Sequence, residues 1–182
     1  MYKLGIPAGT EWVEHIHPAS YQLQAIEGGT RLFAGVPGGE PAIFRQLVAS
    51  LTPPFFLLYI LHTPRGEGEP GRYQSPAIDI DTFNGFMDEF GSFLSKDARF
   101  DIWAHSPAEN ATVVWDRHNE VFGYGPLPRF ELVLKGLGFS EGGGASVVAH
   151  QHCYHEAFDA QAARLLTTFD WSRSPLQEQD EQ

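Results

Sequence analysis

Cysteine and long apolar runs are scarce in this chain, and their scarcity excludes disulfide-stapled and membrane-spanning proteins. Cys153 is the only cysteine among 182 residues, so no disulfide can form within the chain. The longest apolar stretch, residues 55–61, is far shorter than the roughly 20 residues of a membrane-spanning helix. The N-terminus lacks the basic start and apolar run of a secretion signal. We therefore expect a cytoplasmic protein in a reducing compartment.

Basic residues are also scarce. The chain has 12 Lys and Arg against 23 Asp and Glu, a formal net charge of −11 at pH 7. Such a chain repels nucleic-acid phosphates and anionic lipid, so we expect no nucleic-acid and no membrane partner. The charge instead favours solubility, and it permits a protein partner with a basic surface. Hydrophobic residues make up 42% of the chain, which is enough to bury a core.

Apolar spacing predicts an α+β fold. Helical spacing occurs in four groups of residues: Phe44, Leu47, Val48 and Leu51; Phe83, Phe86, Met87, Phe90, Phe93 and Leu94; Phe130, Val133, Leu134 and Leu137; Phe158, Ala162, Leu165, Leu166 and Phe169. Alternating or continuous apolar runs predict strands at 21–25, 30–36, 55–61, 100–104, 112–116, 121–124 and 145–150, with 12–17 as an edge strand. We expect a mixed or antiparallel sheet with packed helices in one domain, 1–171, and a flexible polar tail, 172–182.

The order of these elements repeats along the chain. Residues 20–95 are predicted to run strand, strand, helix, strand, loop, helix, and residues 96–171 follow the same order after one extra strand. In this interpretation the strand at 55–62 corresponds to 145–152. The order predicts either two duplicated ββαβα halves or an α+β domain that uses a common order without duplication.

A long segment without periodicity, residues 62–79, follows the most apolar strand. Loops longer than about 12–15 residues are uncommon inside compact domains and are often functional. Arg65, Arg72 and Tyr73 lie in this segment and could bind an acidic ligand or protein group. The sequence therefore predicts either a binding loop at these residues or a mobile loop without a role.

Histidines are concentrated between residues 150 and 155. His150 and His152 alternate on a predicted strand and should face the same side, and His155 follows within a turn. Neutral imidazoles suit Zn²⁺, Fe²⁺ or Ni²⁺. The three histidines thus predict a divalent-metal site, to which His62 could contribute from the corresponding strand end. The alternative is a group of exposed or strand-end histidines, since the chain has eight.

Two metal-binding families share part of this spacing. Gly144, His150, His152 and Glu156 resemble the first cupin motif, but Ala163 replaces its closing glycine and no second motif follows. The histidine spacing also resembles that of metallo-β-lactamase-like hydrolases, without the aspartate of their motif. Neither resemblance covers more than a short stretch of the chain.

Two other histidine groups have weaker patterns. His15 and His17 follow Gly9 with the same cupin-like spacing, without the glutamate of that motif. Asp116 and His118 could form an Asp–His pair for general base catalysis, although this segment is more typical of a turn between strands. No Ser or Cys motif supplies a nucleophile.

The centre of the chain resembles a family of uncharacterised bacterial proteins. The resemblance rests on residues 58–75 (LYILHTPRGEGEPGRYQS), 101–107 (DIWAHSP) and 113–119 (VVWDRHN). It implies a bacterial origin and no particular activity. The size and acidity of the chain are also similar to those of small immunity proteins that neutralise toxins.

Two functions from different classes follow. The acidic composition and the lack of a complete catalytic motif favour a non-catalytic cytoplasmic binding or interaction protein, similar to an immunity protein or a regulator. The alternative is a metal-dependent enzyme, a hydrolase or a cupin-like protein, that uses His150, His152 and His155.

Overall fold

The computed structural model describes residues 1–143 and 149–180. In these residues there are twelve strands and four α-helices. The strands are β1 (Leu4–Ala8), β2 (Glu11–Glu14), β3 (Ser20–Ile26), β4 (Gly29–Gly35), β5 (Phe56–Leu61), β6 (Gly71–Gln74), β7 (Phe100–Ser106), β8 (Ala111–Trp115), β9 (Glu120–Tyr124), β10 (Ser140–Glu141), β11 (Gln151–His152) and β12 (Ser172–Ser174). The helices are α1 (Pro41–Ala49), α2 (Ile80–Lys96), α3 (Leu127–Gly136) and α4 (Asp159–Leu165).

The described strands form two sheets. The larger sheet has nine strands in the order β10-β3-β4-β9-β8-β7-β5-β6-β12, and the small sheet has three in the order β11-β1-β2. β10 pairs with β3 in parallel, whereas the other pairings of named strands are antiparallel. The predicted α+β class with a mixed sheet is therefore confirmed.

Helix α2 illustrates how the apolar spacing produces the core. The Asp79 side chain accepts a hydrogen bond from the Thr82 backbone N–H at 2.8 Å, which caps the helix start. Phe83, Phe90 and the other apolar residues of one helix face are then fully or nearly fully buried, and each such phenylalanine contributes about 1.5–3 kcal/mol. No helix in the described ranges is both long enough and apolar enough to cross a membrane.

The larger sheet buries one face under the helices and leaves the other face partly open. Along β7, Phe100, Ile102 and Ala104 are buried in the core, while Asp101 and Trp103 alternate onto the open face. A cleft of about 620 Å³ lies on this open face and reaches the turn between β8 and β9. The open face therefore leads to the side chains of that turn.

The small sheet is attached beside the same turn through a buried lysine. Lys3 is 1% exposed, and its Nζ lies 4.7 Å from the ring centre of Trp115 and 5.2 Å from that of Phe100. The ammonium donates a hydrogen bond to the Asp116 carbonyl at 3.2 Å. These contacts hold β1 against the end of β8.

Two predicted segments differ from the structure, and a third lies mainly outside the described residues. The segment 62–79, expected to be a loop throughout, contains strand β6. The expected edge strand at 12–17 is β2, Glu11–Glu14, and it belongs to the small sheet. The expected strand at 145–150 falls mainly on residues 144–148, which lie outside the described residues.

The two halves of the predicted repeat do not have equivalent pairings in the described residues. Strand β5 lies inside the larger sheet, whereas its expected counterpart contributes only β11, in the small sheet. The strand that follows α3, β10, pairs directly with β3 of the first half. The strand that follows α1, β5, does not pair with β8 of the second half, because β7 lies between them. The order of elements along the chain therefore repeats more closely than their arrangement in space.

The polar segment from residue 172, expected to be a flexible tail, pairs with the larger sheet. β12 forms an antiparallel ladder with β6, which covers the backbone groups of an edge strand. Further on, the Asp180 carboxylate accepts a hydrogen bond from Arg72 at 2.6 Å and is fully buried. Composition did not indicate this pairing because it depends on backbone groups and on ion pairs rather than on apolar side chains.

Candidate metal site

The turn between β8 and β9 is shaped by the Asp116 side chain. Its Oδ1 accepts hydrogen bonds from the backbone N–H groups of His118 at 2.9 Å and Glu120 at 2.8 Å. Asn119 has a φ of 57°, a left-handed conformation that asparagine tolerates well. The turn expected from the sequence is thus present, and it fixes where His118 projects.

The Asp116–His118 pair considered from the sequence is also present. The Nδ1–H of His118 donates to Asp116 Oδ2 at 2.8 Å, which directs Nε2 and its lone pair away from the carboxylate. Burial alone would lower the pKa of His118, but the hydrogen bond and charge of Asp116 outweigh burial and raise it. A carboxylate that orients an imidazole in this way is the usual partner of a metal-binding histidine.

His150 and His152 lie next to His118. The ring centre of His118 is 5.0 Å from that of His150 and 4.8 Å from that of His152, and the last two are 5.1 Å apart. Strand β11 pairs with β1, with His152 opposite Leu4, and this pairing brings residues 150–152 beside the turn. The sequence placed His150 and His152 on one side of a strand, and the structure adds His118 from a distant segment.

The three histidines converge as metal ligands would. Each is half-buried and offers one nitrogen, and the three nitrogens lie within 4.8 Å of one another. Nitrogens around a tetrahedral Zn²⁺ are about 3.3 Å apart, given Zn–N distances of about 2.0–2.1 Å. Small side-chain rotations are therefore enough to close this group, the His118–His150–His152 site, around an ion.

His152 is held in the neutral form that binds metals. Burial, followed by the neighbouring His118 and His150, lowers the pKa of His152 to about 3. Its Nε2 is buried and has no hydrogen-bond partner among residues 1–143 and 149–180. Buried polar atoms are nearly always satisfied by some partner, so this nitrogen is suited to accept a ligand.

The cleft beside the site has an acidic lining. His118 lies in its wall together with five acidic and two basic residues. The acidic residues are Glu27, Asp101, Asp116, Glu120 and Asp180, and the basic residues are Arg31 and Arg117. Such a cleft attracts cations and offers them a route to His118.

His155, predicted as the third ligand, does not join this site. Its Nε2–H donates to the Tyr2 carbonyl at 2.9 Å, and its backbone N–H donates to Asp97 at 2.8 Å. The buried Arg99 side chain also binds the His155 carbonyl at 3.2 Å. Because β11 ends at His152 and His155 immediately precedes a short 3-10 helix, the alternation of a strand does not carry His155 to the side of His150 and His152.

His62, the other predicted contributor, also lies outside the site. Its Nε2–H donates to Asp101 Oδ2 at 2.8 Å, while Asp101 Oδ1 accepts from the Arg117 backbone N–H at 2.8 Å. His62 therefore supports the segment next to His118 indirectly, through Asp101.

The residues of the predicted binding loop are not brought together. Tyr73 is 8% exposed and lies in the core, and its hydroxyl donates to the Glu69 carbonyl at 2.6 Å. Arg72, its neighbour on β6, is on the opposite face and pairs with Asp180. Arg65 pairs with Asp159 at 3.0 Å. Strand β6 separates these side chains, which is why they do not share one surface.

Comparison of the chain with protein families, with curated proteins and with solved structures finds no match.

Proposed function

We propose that this chain is a binding protein whose ligand is a divalent transition-metal ion, held by His118, His150 and His152. The single observation that supports it is the convergence of three imidazole nitrogens from two distant segments within 4.8 Å. The proposal joins two ideas left open by the sequence, namely binding without catalysis and a role for the histidine cluster.

The donor set selects the kind of ion. Imidazole nitrogens favour Zn²⁺, Ni²⁺, Cu²⁺ and Co²⁺ over Mg²⁺ and Ca²⁺, which prefer oxygen ligands. Burial raises the pKa of the Cys153 thiol, and Cys153 is one residue from His152, so on an extended strand it points to the other side. The site is thus expected to bind its ion through nitrogen and not through sulfur.

Calorimetric titration with Zn²⁺ tests the proposal. Metal-free wild-type protein should bind one Zn²⁺ per chain, and His152→Gln should bind it much more weakly because a ligand is lost. His105→Gln is the matched control. The Nδ1 of His105 is hydrogen-bonded to Thr112 Oγ1 at 3.0 Å on the open sheet face, away from the site. No Zn²⁺ binding by the wild type, or equal binding by His152→Gln, would refute the proposal.

A further inference from the structure

A fourth histidine, His15, lies beside the His118–His150–His152 site. Its backbone N–H donates to the Leu4 carbonyl at 2.9 Å, and Leu4 is opposite His152 on the other side of β1. His15 and His152 are thus each one inter-strand spacing from Leu4, in opposite directions. Two such spacings of an antiparallel sheet place their Cα atoms about 10 Å apart. Two histidines at that separation can reach the same ion.

The His15 ring packs against that of its neighbour His17. The two rings are in edge contact, with centres 4.4 Å apart, and the Nε2–H of His17 donates to the His118 carbonyl at 2.8 Å. His17 therefore reaches the turn that carries His118, and His15 lies on the same side. His17 is engaged by this hydrogen bond, which leaves His15 as the histidine available to the site.

His15 shares a further property with His152. The Nε2 atom of each is buried and has no hydrogen-bond partner in the part of the chain that the structure describes. Two unsatisfied imidazole nitrogens on segments that flank the same strand are costly in a folded protein, and a metal ion bound by both would satisfy them.

We infer that His15 is a fourth ligand, so that the ion is bound by four imidazoles and clamps the small sheet to the turn between β8 and β9. This inference rests on the proposed metal site. The ligands come from three separate segments, at residue 15, at residue 118 and at residues 150–152. An ion with four protein ligands has no position left for water, which is typical of structural sites and not of hydrolytic ones.

Co²⁺ in place of Zn²⁺ distinguishes four imidazoles from three. Azide can bind Co²⁺ only at an open coordination position, and its binding changes the visible absorption spectrum. We expect azide to leave the spectrum of Co²⁺-loaded wild-type protein unchanged. Loss of a residue that only supports a metal ligand typically weakens metal binding about 10–100-fold, so loss of a ligand in His15→Ala should weaken Co²⁺ binding by at least that much. The spectrum of Co²⁺-loaded His15→Ala should also respond to azide. His105→Gln should behave as the wild type does.

The other outcomes separate the two proposals. If wild-type protein binds Co²⁺ and its spectrum responds to azide, three imidazoles hold the ion and the inference about His15 is overturned, while the metal site stands. If wild-type protein binds neither Co²⁺ nor Zn²⁺, the metal site itself is refuted. The azide response of the wild type decides the matter without relying on any variant.

The clamp has a second readout that a ligand change elsewhere would not produce. Hydrogen exchange of the backbone amides in β1 and β2 should become slower when Zn²⁺ is added to the wild type. In His15→Ala the effect on β2 should be lost, because the ion no longer contacts the segment that follows β2. Exchange in β1 and β2 that is the same with and without bound Zn²⁺ would contradict the clamp.

Discussion

Lys3 offers a quantitative test of how the small sheet is attached, because its charge is buried between two aromatic rings. Burial lowers the pKa of Lys3 from 10.5 to about 8, although the charges of Asp116, Asp101 and Asp97 oppose this shift. The difference corresponds to about 3.4 kcal/mol by which the buried charge destabilises the folded state. Lys3→Met removes that charge and keeps an apolar chain between Trp115 and Phe100.

The direction of the pH dependence follows from the two pKa values of Lys3. Below pH 8 the lysine is charged in both states and the full penalty is present. Between about 8 and 10.5 the folded state has released the proton while the unfolded state still binds it, so stability rises with pH. The wild type should therefore gain about 2.5 kcal/mol relative to Lys3→Met between pH 7 and pH 10.

Urea denaturation at 25 °C, repeated from pH 7 to pH 10, measures this difference. Lys96→Met is the matched control, since Lys96 is in the last turn of α2 and not between aromatic rings. Its free energy of unfolding should follow the wild type across the range. If the free energies of unfolding of the wild type and of Lys3→Met changed in parallel with pH, the buried charge of Lys3 would be refuted, and with it the attachment of β1 that depends on it.

Three further substitutions test the surroundings of the site. Asp116→Asn keeps an oxygen for the turn but removes the charge that orients the imidazole, so Zn²⁺ affinity measured by calorimetry should fall about 10–100-fold; unchanged affinity would contradict that role. Arg99→Met leaves the Asp97 carboxylate buried without its ion-pair partner, which should lower the free energy of unfolding by about 3–5 kcal/mol in urea denaturation. A much smaller decrease would contradict a buried ion pair at this position. Gly35→Ala places a Cβ 2.4 Å from that of His17, so it should destabilise the protein by about 1–3 kcal/mol; wild-type stability would show that His17 can move freely.

The helices could be predicted from the sequence, whereas the short strands could not. The stripe from Phe83 to Leu94 has a period of 3.6 residues, and no other regular structure places those side chains on one face. Strands β10, β11 and β12 have only two or three residues each. Pairing of such strands depends on backbone groups of distant segments, and a local pattern contains no record of it.

The candidate site could likewise be predicted only where its residues are close in sequence. His150 and His152 are two residues apart, so their shared side followed from the geometry of a strand. His118 and His15 join them only because β1 pairs with β11 and is attached beside the turn at Asp116. The nearest local signal was the Asp116–His118 spacing, which indicated an oriented imidazole but not the partners it would meet.

X-ray absorption at the zinc K-edge of Zn²⁺-loaded wild-type protein identifies the atoms bound to the ion. We expect a shell of nitrogen neighbours at about 2.0 Å with the outer scattering of imidazole rings, and no sulfur neighbour at about 2.3 Å. A shell of oxygen neighbours without imidazole scattering, or a sulfur neighbour, would contradict the proposed metal site.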